Sequence, residues 1–346
     1  MSILEKIKKH STINDTALLS ESKFFHEKDM VPTPIPILNI ALSGSLDGGL
    51  SPGITMFAGP SKHFKTMFSL ILAQSYLDKY PESALLFYDS EFGTPTEYFE
   101  SMNIDPERVV HTPITDIEQL KFDIMQQITN LERGDKLIIV IDSIGNLASK
   151  KEVEDTLEQK TAADMTRAKQ LKSLFRMITP HLVLKDIPLI AINHTYKSMD
   201  FYSKDIVGGG TGSIYAASNI FIIGRQQEKD GADISGWNFI INVEKSRYTK
   251  EKSKFPVTVR YNKGLSKYSG LMDMALEAKV VIQPSPRTYS RVNTETGEIE
   301  DKKWKLTDTD NSEFWDSVLS NQTFKDWVIA SFKSSSEMNM VVNDEA

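Results

Sequence analysis

The chain has 346 residues, 40% of them hydrophobic and 25% charged, a net charge of −7 and no cysteine. This is the composition of a folded protein with one substantial core and smaller appendages, and it excludes a disulfide framework and any cysteine-ligated metal. The acidic total argues against a protein that coats nucleic acid through bulk positive charge. The sign is uneven, however: residues 241–270 carry eight Lys/Arg against two acids, whereas ten acids face five lysines from Glu300 onward.

The opening MSILEKIKKHST lacks the apolar core of a signal peptide. No apolar run approaches the roughly 20 residues that span a bilayer, so a cytoplasmic protein without membrane contact is expected. The first residues are polar apart from an amphipathic start at Ile3, Leu4 and Ile7, and VPTPIPI at 31–37 has three prolines that break a helix. This predicts an arm and linker over 1–34. From 35 to 280 apolar runs, ITMF (54–57), ALLFY (84–88), LIIVI (137–141), IPLIAI (187–192) and NIFII (219–223), alternate with amphipathic stretches. Strands apolar on both faces and separated by helical patterns predict an α/β core, a mostly parallel central sheet flanked by helices. Within it, 116–133 has helical spacing with Asp116 as N-cap, and 237–243 and 255–261 alternate as antiparallel strands extending the sheet. Beyond 280 a turn-rich hairpin at TETGEIE and two short helices near 311–333 predict a small C-terminal domain and tail over 281–346.

The chemistry concentrates at strand ends. GPSKHFKT (59–66) follows ITMFA and precedes a helical stretch, the context in which loop N–H groups and a helix N-terminus wrap phosphates. Gly59, Pro60, Ser61, Lys62, His63 and Phe64 would form the cradle, followed by Lys65, Thr66 and Met67; Lys65 would reach the β- and γ-phosphates and Thr66 would ligate Mg²⁺. Phe64 stands where the usual pattern has a second glycine, and left-handed backbone there would cost about 1–2 kcal/mol. On this loop alone, a surface turn is the competing reading. LIIVIDS ends in Asp142, suited to Mg²⁺ through its water shell or to a helix cap. LLFYDSEFG brings Asp89 and Glu91, either of which suits a general base, and IPLIAINH brings Asn193 and His194. In an open parallel sheet ligands bind beyond the carboxyl ends of the strands, so these four ends converge on one site.

In the order GPSKHFKT, FYDSEFG, VIDS, AINH, GGGTG (208–212) and NVEKSR (242–247), the chain resembles RecA-type recombinases, most closely the UvsX recombinases of tailed phages, from about Ser22 to Trp327. UvsX relatives share the loop phenylalanine. The resemblance implies an ATPase with Mg²⁺ that polymerises on single-stranded DNA as a helical filament and pairs it with homologous double-stranded DNA. Its setting would be phage recombination, repair and recombination-dependent replication in the host cytoplasm, with mediator and single-strand-binding proteins as partners. It further implies Glu91 as the water-activating base, Tyr98 stacking on adenine, Tyr261 as a second base contact, and His194 in place of the γ-phosphate-sensing glutamine of bacterial RecA. Lys245 and Arg247 match the cations that cross to the triphosphate of the adjacent subunit.

Segments 149–163 and 195–211 match the family's two DNA-binding loops. Lys150 and Lys151 lie in the first. The second mixes Lys197 and Lys204 with Tyr196, Met199, Phe201 and Tyr202, a blend for backbone neutralisation and base stacking. Arg167 and Lys172, on the following helix, are further DNA candidates. Read without the resemblance, the second loop is equally a lid and the basic residues are solvated charge. Two other functions stay open: a RecA-fold motor such as a ring helicase, which usually adds a large N-terminal domain, and a filament mediator without turnover, against which Lys65, Thr66, Glu91 and Asp142 speak.

Overall fold

The computed structural model describes residues 2–13, 15–22, 29–159, 165–198, 205–231 and 233–334. Helix α1 (Ile3–His10) starts with a reciprocal cap: Ser2 Oγ accepts from Glu5 N at 3.2 Å and Glu5 Oε2 accepts from Ser2 N at 2.7 Å. Its apolar side chains Ile3, Leu4 and Ile7 are exposed, so the chain's own core leaves this stripe uncovered. The linker is tied down where Val31 and Leu50 exchange backbone hydrogen bonds, and where Asp29 accepts from Lys79 and Tyr80. Of the three prolines at 31–37, Pro36 begins helix α2 (Pro36–Ser43) rather than breaking one, because a first-turn residue needs no amide donor.

Strand β1 (Gly53–Ala58) feeds α3 (Lys65–Lys79), β2 (Ala84–Asp89) feeds α4 (Thr96–Ser101), and β3 (Val109–Pro113) feeds α5 (Ile117–Asn130). Asp116 caps α5, accepting from Gln119 N at 2.8 Å. Next come β4 (Leu137–Asp142), α6 (Lys150–Leu157), α7 (Thr166–Leu184) and β5 (Pro188–Asn193). A small antiparallel ladder, β6 (Thr195–Lys197) with β7 (Asp205–Val207), then leads to α8 (Thr211–Ala216). The chain continues through β8 (Asn219–Asp230), β9 (Asp233–Ser246), β10 (Lys254–Arg260), β11 (Gly264–Leu265) and α9 (Leu271–Glu277). It closes with β12 (Val281–Ser285), β13 (Thr288–Arg291), β14 (Trp304–Lys305), α10 (Ser312–Ser320) and α11 (Gln322–Phe332).

The central sheet runs β11-β10-β9-β8-β1-β5-β4-β2-β3. From β8 to β3 all pairings are parallel, and β9 to β11 add an antiparallel wing. Alternate strand residues face opposite layers, as the two-residue strand period requires. Phe57, Leu85, Phe87 and Val140 pack with α2 and α3, whereas Met56, Leu86, Ile139 and Ile141 pack with α5 and α7. Trp304, Phe314, Trp315 and Phe324 of the C-terminal segment join the first of these layers. The first expected DNA loop differs from expectation, since 150–157 is helical. The Ser149-x-x-Glu152 capping box, with both reciprocal hydrogen bonds present, supplies the start signal.

Candidate functional site

The parallel strands end on one edge, and a cleft of about 240 Å³ opens there, lined by Ser61–Met67, Glu91, Asp142, Ile192 and His194. It is smaller than the roughly 300–1,000 Å³ of a pocket that encloses a drug-sized ligand, a size that suits a polyphosphate. Gly59 lets the loop depart close to β8: a Cβ there would stand 3.0 Å from the carbonyl oxygen of Ile223. Phe64 sits at φ 61°, ψ 15°, the left-handed conformation that a second glycine would take without strain. Its ring stacks on Phe239 at 4.9 Å and meets Phe68 edge-on at 5.2 Å. Two such aromatic contacts, each about 0.5–1.5 kcal/mol beyond area burial, offset a backbone cost of similar size.

Lys65 is 7% exposed and its Nζ donates to the Pro60 carbonyl at 2.8 Å. Burial pulls its pKa below the usual lysine range, with Glu91 and Asp142 opposing. Thr66 Oγ1 donates to Asp142 Oδ2 at 2.7 Å. Burial pushes the Asp142 pKa up to about 6 against that hydrogen bond, and its Oδ1 is buried without a hydrogen-bond partner. An orphaned carboxylate oxygen beside a threonine hydroxyl is a donor set that fits a hard divalent cation sharing its shell with phosphate and water. His63 Nδ1 lies 2.8 Å from the Ser61 carbonyl oxygen, and burial lowers the imidazole pKa.

The two acids left open at the end of β2 have different surroundings. Asp89 Oδ1 accepts from the backbone N–H groups of Glu91 and Phe92 at 3.0 and 2.8 Å, which shapes the turn. Glu91 reaches the cleft, where its Oε1 accepts from Ser143 Oγ at 2.8 Å and lies 3.1 Å from His194 Nε2. The His194 contact holds the Glu91 carboxyl below its ordinary range against the opposing effect of burial. Gly145 makes room for the histidine, because a Cβ there would stand 2.3 Å from His194 Cδ2.

Sequence reading missed Ser90 and Ser143. Ser90 Oγ donates to the Ser143 carbonyl at 2.7 Å and accepts from Ser143 N at 3.0 Å, joining the ends of β2 and β4. The signal was available: an Asp-Ser dipeptide closes both strands, and Asp89 pairs with Asp142 in the ladder. Arg225, also missed, donates to the Lys62 carbonyl at 3.2 Å; no motif marks it.

The other predicted residues stand apart from the cleft. Tyr98 on α4 and Tyr261 after β10 are exposed and do not line it, and Tyr261 Oη accepts from Trp237 Nε1 at 2.8 Å. Lys245 Nζ donates to the carbonyls of Ile214, Tyr215 and Ala217 at 2.7, 3.2 and 2.8 Å, closing the C-terminal end of α8. Arg247 is exposed, and its guanidinium has no hydrogen-bond partner among the described residues. Arg167 is turned inward: Nε donates to Leu147 O at 2.8 Å, and Nη2 to Ile144 O and Gly145 O at 3.0 and 2.8 Å. Lys150 and Lys151 are exposed on α6, and Lys172 on α7 covers Gly212. Lys197 pairs with Asp205 across β6 and β7 at 3.0 Å. Met199, Phe201, Tyr202 and Lys204 lie outside the described residues.

A phosphate loop after β1, an acid closing β4 two strands away and a cleft-facing carboxylate after β2 define a P-loop ATPase. A family model of the RecA N-terminal domain matches residues 2–266, and one of the C-terminal domain of the bacteriophage T4 recombination and repair protein matches residues 268–328. The chain is 52% identical over 322 residues to the recombination and repair protein of Enterobacteria phage T4, covering 92% of this chain and 82% of that relative. It is 22% identical over 307 residues to Protein RecA of Francisella philomiragia and 24% over 306 residues to Protein RecA of Francisella tularensis subsp. novicida, in each case covering 87% of this chain and 82% of the relative. The chain belongs to the RecA family and is a recombinase of that family.

Proposed function

We propose that this DNA-dependent ATPase assembles as a helical filament on single-stranded DNA, pairs that strand with a homologous duplex, and hydrolyses ATP to release the product. Its setting is phage recombination, repair and recombination-dependent replication in the host cytoplasm, with mediator and single-strand-binding proteins as partners. Residues 59–67 hold the triphosphate, Lys65 neutralises its β- and γ-phosphates, and Tyr98 and Tyr261 face the base. Thr66 and Asp142 would hold Mg²⁺, which would neutralise phosphate charge. Glu91 orients the attacking water and His194 responds to the γ-phosphate, while Lys245 and Arg247 act on the neighbouring subunit's ATP. Lys150, Lys151, Lys172, Lys197, Lys204, Met199, Phe201 and Tyr202 face DNA; Arg167 supports them through the turn that it closes. The working division is arm and linker over 1–34, ATPase core over 35–280 and C-terminal domain over 281–346.

The observation that carries this reading is one run of contacts from the ATP site to the base of the second DNA loop. Glu91 meets His194, the His194 carbonyl accepts from Gly208 N at 2.9 Å, and Asn193 Nδ2 donates to Gly208 O at 2.8 Å. A γ-phosphate that draws His194 off Glu91 therefore pulls on both stems of the β6–β7 ladder, biasing the loop toward its DNA-binding order. The test is D-loop formation with homologous and heterologous duplexes: joint molecules should need ATP and homology. ATP hydrolysis without homology-dependent joints would refute strand exchange and leave a motor.

A further inference from the structure

The phosphate loop holds two non-glycine residues in left-handed backbone, Lys62 and Phe64, both at φ 61°. Both are gripped from one place. Arg225 on β8 and Phe239 on β9 are paired directly across the antiparallel ladder. Arg225 Nη1 donates to the Lys62 carbonyl at 3.2 Å, and the Phe239 ring stacks on Phe64. The guanidinium also lies over Trp237, 4.1 Å from Cζ to the ring centroid, and Trp237 Nε1 donates to Tyr261 Oη. One cross-strand pair thus fixes both left-handed residues, and the stack continues to the tyrosine assigned to the base.

We propose that Arg225 is a positioning residue for ATP: with Phe239 it holds the phosphate loop in its cradling conformation, in place of the second glycine that this chain lacks. The proposal rests on the reading of 59–67 as the triphosphate site. Carbonyl and amide of one trans peptide point in opposite directions, so drawing the Lys62 carbonyl toward Arg225 turns the His63 N–H to the opposite side. A planar guanidinium suits the task, because one edge can donate to the carbonyl while its face rests on the indole. Arg225 is exposed, so replacing it leaves no cavity in the core.

The experiment uses the full chain, a fluorescent ATP analogue with Mg²⁺, and steady-state ATPase on single-stranded DNA. Arg225→Ala should weaken nucleotide binding and raise KM about tenfold, the scale of one strained residue, with a much smaller change in kcat and in the melting temperature of the nucleotide-free chain. Lys62→Gly supplies the rescue, since glycine takes left-handed backbone unaided: in that background Arg225→Ala should lose less than about twofold. Unchanged affinity in Arg225→Ala overturns the proposal. So does an equal loss in both backgrounds, which would mean that Arg225 merely attracts the triphosphate by charge. Lys65→Ala separates the underlying reading: if it binds the analogue as tightly as the unmodified chain, the assignment of the loop itself fails.

Discussion

The phosphate edge of the sheet and the elements that face outward from it are built differently. At the edge, nearly every polar group already has an internal partner: Lys65 on Pro60, Thr66 on Asp142, Glu91 on Ser143 and His194. Further out, α1 shows an uncovered apolar stripe, Arg247 follows β9 with its guanidinium unpaired among the described residues, and Lys197 makes a surface ion pair with Asp205. A cleft whose polar groups are paired within one chain suits nucleotide binding by a single copy, whereas unmatched groups on the periphery suit a protein that turns over only when copies assemble on DNA.

The sharpest way to break that comparison is through Arg247. If its charge is delivered to the neighbouring ATP, Arg247→Ala should lower DNA-stimulated turnover by roughly 10³-fold with nucleotide binding retained. Mixing it with Lys65→Ala subunits should restore part of the activity, because some interfaces then pair an intact Arg247 with an intact loop. Mixed filaments that form and show no recovery at any ratio would place Arg247 outside the reaction. Lys245 offers a contrast, since it must first leave three carbonyls at the end of α8.

Next in size is Glu91→Gln, which keeps the contact with Ser143 but removes the proposed base. Turnover should fall roughly 10²-fold or more while ATP binding persists. Normal hydrolysis in single-turnover measurements would return the role to another group.

How much of this was legible follows from where the signals lie. Buried parallel strands are continuous apolar runs, so β1, β2, β4, β5 and β8 could be read off directly, and the polar residues ending the runs of β2, β4 and β5 marked the edge where the cleft opens. The Asp116 cap and the antiparallel wing were equally legible, from a capping residue and from alternation. Partners were not. That Asp89 shapes a turn while Glu91 enters the cleft depends on two N–H groups no pattern encodes, and the inward turn of Arg167 depends on the carbonyls of residues 144–147. Phe64 looked like a defect because sequence shows the missing glycine but not the rings of Phe68 and Phe239 that compensate for it.

A smaller effect is expected at the second loop. Lys197→Ala combined with Lys204→Ala should weaken single-stranded DNA binding and reduce the slope of log affinity against log salt by about 1.4, roughly 0.7 for each lost phosphate contact. Arg167→Ala serves as the contrast: losing three carbonyl hydrogen bonds should lower the melting temperature, at about 1–3 kcal/mol, with the slope unchanged. An unchanged slope in the double variant would detach this loop from DNA.

The smallest effect concerns a buried atom of the cleft that has no internal partner among the described residues, Asp142 Oδ1. Burial raises this carboxyl to about 6 from the ordinary aspartate value of 3.8, so the folded state binds its proton more tightly than the unfolded state. Stability then falls as pH rises from near 4 through 6, the opposite of a salt-bridged aspartate. Asp142→Asn removes that penalty. With EDTA present and no nucleotide, the Asn variant should be more stable relative to the parent at pH 8 than at pH 5, by about 1–2 kcal/mol in the difference between the two pH values. The same change should reduce stabilisation by Mg²⁺ with ATP, since the neutral amide offers a cation no charge beside Thr66. Denaturant titrations at the two pH values decide it: a gap that is equal, or larger at pH 5, would mean that Asp142 is ordinarily ionised in the folded chain and that its unpaired oxygen carries no strain for a cation to relieve.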